Sequence, residues 1–243
     1  MISINSRHGR LFIFDYMKEI LYIKIEILYT VCITPQPNNL WEGVNMKKAE
    51  RAEHEFRAMS EALKASGYSE KLVTIKQSRA MLGGLICALP FAAVFGAVYR
   101  LLLAGRAHLS DAAGMGFYAM FAGIVIVSAF VHELLHGLGW AIASGRGWRA
   151  VRFNVSALMP SCACTAALGR WQYIAGVLAP FVLLGGGSVV FMFVYPGTVS
   201  VLTMLVNFLL AGADLLIAFS ALRECGALIA DHPTQAGYAA FRR

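Results

Sequence analysis

Four long apolar segments constrain the fold of this chain more than any other feature. They cover residues 81–104, 112–144, 174–195 and 199–222. Each is long enough to cross the hydrocarbon core of a bilayer, which takes about 20 helical residues. Since 58% of the residues are hydrophobic and only 14% are charged, the composition lies outside the range of soluble domains. The sequence therefore predicts an all-α integral membrane protein, a bundle of about four transmembrane helices.

Basic residues cluster at one end of the predicted helices. Eight lie within residues 47–79, and four lie between the second and third segments, where there is no acid. Residues 196–198, between the third and fourth segments, carry no charge. Because basic residues accumulate on the cytoplasmic side of membrane helices, both chain ends are expected in the cytoplasm. The formal charge of +7 then reflects topology, and the expected partner is the lipid bilayer, not nucleic acid.

The first 45 residues fit this pattern poorly. Residues 11–31 are apolar, but they contain five charged side chains, too many for a membrane span. Two hypotheses are open for residues 1–45. Either they are a non-native extension and translation begins at Met46, or they contain a helix that lies in the membrane interface.

The rest of the chain divides into three predicted regions. Residues 46–79 form a cytoplasmic amphipathic region with a helix from Met46 to Gly67. Residues 80–222 form the four-helix membrane domain, and residues 223–243 form a cytoplasmic tail. The five cysteines have no regular spacing, so no disulfides are expected.

The motif HELLH in the second segment places three ionisable side chains inside an apolar helix. His132 and His136 are four residues apart, so both imidazoles project from one helix face and can bind a single zinc ion. In an HExxH arrangement the glutamate, here Glu133, is not a ligand but a general base that passes a proton to the leaving amine. The alternative is a polar contact between helices. Imidazole ligands would also suit iron or cobalt.

A catalytic zinc needs a third protein ligand and leaves its fourth position to water. Asp214 is the only acidic or basic residue within residues 171–222, and it lies at about the same depth as His136, so it is the leading candidate. Asp214 could instead pair with Arg223. Asn207 shares the helix face of Asp214 and could hydrogen-bond a substrate carbonyl or an oxyanion. It could equally make a polar contact between helices.

The segment between the second and third spans alternates apolar residues at Val151, Phe153 and Val155. This period of two is typical of a strand. The expectation is a short β-hairpin in the cytoplasmic loop, whose edge could pair with an extended substrate peptide, with a plain loop as the alternative. Cys162 and Cys164 could bind a metal or act in redox chemistry, but such isolated pairs are more often packed thiols, and they are left out of the zinc site.

Four stretches stand out together: HELLHG in the second segment, MPSCAC in the loop, LAPFVLLG in the third segment and NFLLAGADLLIA in the fourth. In this combination the chain resembles the bacterial putative zincin peptidases, a family similar to site-2-type intramembrane metalloproteases. The resemblance covers about residues 64–222. It implies that His132 and His136 are zinc ligands, that Glu133 is the general base, and that Asp214 is the aspartate supplied by a later helix. Site-2 proteases usually have N-P-D-G or L-D-G around that aspartate, whereas this chain has G-A-D-L.

The motif and the resemblance together predict a zinc-dependent intramembrane peptidase of the bacterial cytoplasmic membrane, acting on a membrane protein or a membrane-associated peptide. One alternative is a non-catalytic zinc protein, such as a pseudo-peptidase, whose site is closed by Cys162 or Asn207. A second alternative is a metal-ion transporter that uses His132, Glu133, His136 and Asp214 for permeation. A transporter would need further polar residues along the outer halves of the spans.

Overall fold

The structure, a computed structural model, describes residues 39–103, 115–156 and 159–243. The apolar segment at residues 11–31, with its five charged side chains, lies outside these ranges. The hypothesis of an interfacial helix near the N-terminus therefore stays a prediction, as does the start at Met46.

Helices make up most of the described chain. The first helix, α1, contains the predicted amphipathic stretch but begins earlier, at Asn39. Two helices continue into π-helical turns, α2 through Tyr99–Leu103 and α4 through Phe181–Gly185. The bounds are α1 Asn39–Ala65, α2 Gln77–Val98, α3 Met115–Ala143, α4 Arg170–Pro180, α5 Gly186–Val194, α6 Thr198–Leu210 and α7 Gly212–Ala221.

Four of these helical stretches are long and apolar enough to cross a membrane, as the sequence predicts. They are Ser78–Leu103, Gly116–Ala143, Arg170–Val194 and Thr198–Ala221. The third consists of α4, its π-turn and α5, and the fourth consists of α6 and α7. Many of their large apolar side chains point outward, among them Leu101, which is 81% exposed, and Ile142, which is 72% exposed. An apolar outer surface of this kind matches a lipid environment better than water.

Six short strands accompany the helices, so the expectation of an all-α fold is incomplete. Their bounds are β1 Ser69–Thr74, β2 Val151–Ser156, β3 Met159–Cys164, β4 Leu168–Gly169, β5 Leu228–Asp231 and β6 Gly237–Arg242. β2 and β3 form the expected antiparallel hairpin, with Phe153 opposite Cys162. The other four form an antiparallel sheet in the order β1-β6-β5-β4. All six strands flank the same ends of the four spans, so they lie at one end of the bundle.

The four-stranded sheet differs most from the expectation, because two of its strands occupy the predicted C-terminal tail. In β6 the residues from Gly237 to Phe241 are all buried, since β6 pairs with β1 on one side and with β5 on the other. Both faces of this strand are covered, so its sequence shows no alternation of polar and apolar residues. Because this alternation is missing, the sequence of β6 does not indicate a strand.

Two close glycine contacts hold the spans together near the strands. A Cβ atom on Gly212 would overlap the backbone carbonyl of Gly84, so the first span touches the fourth backbone to backbone. A Cβ on Gly139 would likewise overlap the backbone of Gly176, which joins the second span to the third. Small residues at such crossings let membrane helices approach closely. These two contacts fix the helices that carry the site described next.

Candidate metal centre

Three side chains predicted to bind metal converge between the second and fourth spans. The Nε2 atoms of His132 and His136 lie 3.1 Å apart. Asp214 places Oδ2 3.0 Å from Nε2 of His132 and Oδ1 3.5 Å from Nε2 of His136. Both histidines are buried, and the Asp214 side chain is 15% exposed. Within the described ranges this is the one group of three or more His, Cys, Asp or Glu side chains placed to share an ion.

Local backbone structure aims these side chains at one point. The two histidines lie one turn apart on α3, which stacks their side chains on the same helix face. The fourth span is broken at Ala211, between α6 and α7, so Asp214 lies in the first turn of α7. The close approach of Gly84 to Gly212 holds this break against the first span. His136 and Asp214 each lie about two turns before their helices end, as the predicted equal depth requires.

The environment of His136 determines which of its nitrogens can bind a metal. Its Nδ1 lies 3.0 Å from the backbone carbonyl of Gly176. A carbonyl oxygen can only accept, so Nδ1 carries the proton and donates it, and the neutral ring keeps a lone pair on Nε2. Metal-binding histidines usually donate a hydrogen bond of this kind from the ring nitrogen that does not bind the metal. Trp140 stacks on the His136 ring at a centroid distance of 5.3 Å and further fixes its orientation.

The spacing and the donor set suit a tetrahedral zinc ion. With bonds of about 2.0–2.1 Å, a tetrahedral zinc separates neighbouring ligand atoms by about 3.3 Å, and the three separations here are 3.0, 3.1 and 3.5 Å. The contact between Asp214 and His132 lacks hydrogen-bond geometry, and Asp214 Oδ2 is buried without a donor. Two imidazole nitrogens and a carboxylate oxygen at these separations form a donor set that suits a cation.

Glu133 lies beside this group without joining it. It is half-buried, and its carboxylate faces the backbone amide of Cys162 in strand β3. A general base must lie next to the metal and remain free of it, and Glu133 has that position.

The structure places Asn207 near the end of α6, before the break. Its side chain is 2% exposed, and its Oδ1 atom is buried without a hydrogen-bond partner. Its role toward an oxyanion stays a prediction.

The alternative partners considered for the site lie elsewhere. The charge partners of Asp214 are the two histidines, not Arg223, whose backbone carbonyl accepts a hydrogen bond from Arg242. Cys162 and Cys164 lie in β3, outside the three-residue group. Burial raises the pKa of the Cys162 thiol, and it raises that of Cys164 to about 11. Without a metal, both thiols therefore remain protonated at neutral pH.

Two residues that orient the site were not predicted from the sequence. Gly176 acts through its backbone carbonyl, which no residue type reveals. Trp140 follows His136 by four residues. Because residues with this spacing are neighbours on a helix face, the sequence could have indicated that the indole stacks on the His136 ring.

Comparison with known families adds independent information. A family model described as "Putative zincin peptidase" matches residues 125–227. This segment of the chain is therefore similar to the putative zincin peptidases. These matched residues, called the zincin segment below, contain both histidines, Glu133 and Asp214. The segment begins after the first span, whereas the resemblance seen in the sequence begins at about residue 64. Neither the curated proteins nor the solved structures contain a match to the chain. Similarity to a zincin family points to zinc as the metal of the site and suggests a peptidase.

Proposed function

We propose that the protein is a zinc-dependent intramembrane metallopeptidase of the site-2 type, which cleaves its substrate within the bilayer. That substrate would be a membrane protein or a membrane-associated peptide. The observation that supports this most directly is the convergence of His132, His136 and Asp214 inside the zincin segment, with Glu133 adjacent and unligated.

A location in a bacterial cytoplasmic membrane, with both termini in the cytoplasm, is part of the proposal. Its support is the apolar outer surface of the spans and the charges at their ends. Basic residues lie at the strand-bearing end of all four spans: Lys76 before the first and Arg79 at its start, Arg146 after the second, Arg170 at the start of the third and Arg223 after the fourth. By the positive-inside rule this end faces the cytoplasm, so the metal centre lies in the cytoplasmic half of the membrane.

The proposed mechanism assigns one role to each residue. His132, His136 and Asp214 hold the metal, and when bound, zinc polarises the scissile carbonyl and acidifies a water molecule. The Glu133 carboxylate accepts a proton from the attacking water as the new C–O bond forms, and it then delivers this proton to the leaving nitrogen as the C–N bond breaks. Asn207 would donate its amide hydrogens to the developing oxyanion.

Strand β3 suggests how a substrate could be presented. β2 and β3 pair with each other and with no other described strand, so no strand occupies the outer edges of the hairpin, where the Cys164 amide of β3 donates to Asp231. β3 also packs beside Glu133, through the amide of Cys162. An extended peptide that adds to this hairpin would receive main-chain hydrogen bonds next to the general base.

Two features of the described chain disfavour the alternatives. A closed structural zinc site needs four protein ligands, and the described His, Cys, Asp and Glu side chains supply three. A metal-ion transporter needs a polar path on both sides of the site. In the half of the bundle away from the strands, the described interior is instead filled by an apolar cluster of Tyr99, Leu103, Met192, Met204 and Phe208.

Cleavage can be tested with all the membrane proteins of a bacterial host as the pool of substrates. The full chain and its Glu133→Gln variant are produced in that host, and the N-termini of the membrane proteins are catalogued by mass spectrometry. We expect new N-termini with the wild type and with the control Glu61→Gln, an exposed residue of α1, and none with Glu133→Gln. The same N-termini in all three samples would overturn the assignment of peptidase activity.

A further inference from the structure

Asp231 connects three elements around the metal centre. It ends strand β5, beyond the zincin segment, and its side chain is half-buried. The Tyr173 hydroxyl donates a hydrogen bond of 2.9 Å to Oδ1. The backbone amide of Cys164 donates one of 3.3 Å to Oδ2. One carboxylate therefore ties β5 to helix α4 on one side and to strand β3 on the other.

The first connection leads to His136. The backbone carbonyl of Tyr173 accepts a hydrogen bond of 3.2 Å from Nε1 of Trp140, and the Tyr173 ring stacks on the indole of Trp140. Trp140 in turn stacks on His136. One turn after Tyr173, the carbonyl of Gly176 accepts the His136 proton. Helix α4 thus makes the contacts that orient His136, and Asp231 anchors that helix through Tyr173.

The second connection leads to Glu133. Cys164 lies two residues after Cys162, whose backbone amide faces the Glu133 carboxylate. The opposite edge of β3 is held by β2, where Phe153 pairs with Cys162 and packs against Gly137 of α3. Asp231 therefore fixes β3 on the side that β2 leaves free.

From these contacts we infer that Asp231 is a positioning residue for the metal centre. It holds α4 and β3 in register, so that the Gly176 carbonyl faces His136 while the Cys162 amide faces Glu133. The inference rests on the proposed function, because it concerns the same centre. It assigns the C-terminal strands, which lie outside the zincin segment, a role in metal binding.

The chain offers a matched control in Glu224. This carboxylate is 2% exposed and also joins separate elements, since it forms ion pairs with Lys71 of β1 and Arg242 of β6. Its partners make no contact with the metal-binding residues in the described chain. Removing its charge should destabilise the sheet without altering the metal site.

The test measures metal binding by the full-length protein in detergent. The dissociation constant for Zn²⁺ is obtained by competition with a chromophoric chelator, and Co²⁺ absorption in the visible range reports the ligand geometry. Asp231→Asn cannot accept both hydrogen bonds, and Tyr173→Phe removes one of them. We expect each variant to weaken Zn²⁺ binding about tenfold, as loss of outer hydrogen bonds does in other zinc sites, and to shift the Co²⁺ bands. Glu224→Gln should leave both the dissociation constant and the band positions as in the wild type, even if its melting temperature falls.

The outcomes separate this inference from the proposed function. If the wild type binds no Zn²⁺, the proposed function fails and the inference fails with it. If the wild type binds Zn²⁺ and both Asp231→Asn and Tyr173→Phe bind it within twofold with unshifted Co²⁺ bands, only the inference is overturned. Weakening by Glu224→Gln equal to that by Asp231→Asn would also overturn it, because the effect would then follow general stability. Should Asp231→Asn fail to fold, Tyr173→Phe decides.

Discussion

The two halves of the helical bundle bury different chemistry. In the half near the strands, His132, His136 and Asp214 meet in the interior, where backbone carbonyls and amides of neighbouring elements supply hydrogen bonds. In the other half, the rings of Phe91 and Phe95 stack on Phe208. The described part of that second cluster contains no acidic or basic side chain. The histidine and acidic side chains of the described spans are thus confined to the end where neighbouring strands and helices supply hydrogen-bond partners. Apolar packing alone holds the opposite end together.

The largest expected effect separates packing from metal binding. Met204 is fully buried in the apolar cluster, so Met204→Ala should lower the free energy of unfolding by about 2–5 kcal/mol, the usual cost of a cavity of that size. Zn²⁺ affinity, measured on the folded fraction by chelator competition, should remain unchanged. A parallel loss of Zn²⁺ affinity would show that the two halves are not independent.

A smaller change in the strand-bearing half should affect both properties. Gly212→Ala introduces a Cβ that overlaps the carbonyl of Gly84, and the resulting helix displacement should cost about 1–3 kcal/mol. Because Asp214 follows two residues later, Zn²⁺ affinity should fall as well. Gly187→Ala is the matched control, since its Cβ would meet no atom within 4 Å. Unchanged Zn²⁺ affinity in Gly212→Ala would contradict the role of this crossing in placing Asp214.

The pH dependence of stability should also distinguish the halves. Burial raises the pKa of Asp231 to about 7, against the lowering effect of Tyr173, the Cys164 amide and His136, while Glu133 raises it further. The Asp231 carboxyl therefore binds a proton more tightly in the folded protein than in the unfolded chain. The stability that the protonated carboxyl contributes is lost as pH rises from about 4 through 7. In the presence of a chelator, the free energy of unfolding should fall between pH 5 and 8 by roughly 1–2 kcal/mol less in Asp231→Asn than in the wild type. This difference is smaller than the full pKa shift would give, because partial exposure of the carboxyl screens the effect. An identical pH profile in wild type and variant would contradict the shift.

The smallest expected effect concerns the contact between the hairpin and α1. Arg152 of β2 forms an ion pair with Glu55, whose side chain is 62% exposed. Such surface pairs contribute less than about 1 kcal/mol. Glu55→Gln should therefore change the melting temperature little and leave Zn²⁺ affinity as it was, whereas a large loss of either would indicate that α1 supports the metal centre.

Hydropathy predicted the four long apolar helices, and helical spacing predicted that His132 and His136 lie together. The four segments needed only length and apolarity, and the pair His132 and His136 needed only the helical repeat. Asp214 could be proposed because it is the single acid in two apolar spans. The strand alternation at Val151, Phe153 and Val155 likewise indicated the hairpin that the structure contains.

The remaining features depend on contacts that no local pattern encodes. Strand β6 is buried on both faces and contains alanines, so its sequence lacks the alternation of a strand with one exposed face. The orientation of His136 comes from the backbone carbonyl of Gly176, available to any residue type. The place of Asp231 depends on the pairing of β5 with β4, which joins segments that lie before the third span and after the fourth.

The most direct test of the metal centre is the zinc content of detergent-purified protein, determined by elemental analysis for the wild type, His136→Ala, Asp214→Ala and Glu133→Gln. We predict about one zinc per chain in the wild type and in Glu133→Gln, and little or none in the other two, because three ligands hold the ion and Glu133 does not. A metal-free wild type, or an Asp214→Ala variant that retains its zinc, would contradict the assignment of His132, His136 and Asp214 as the ligands.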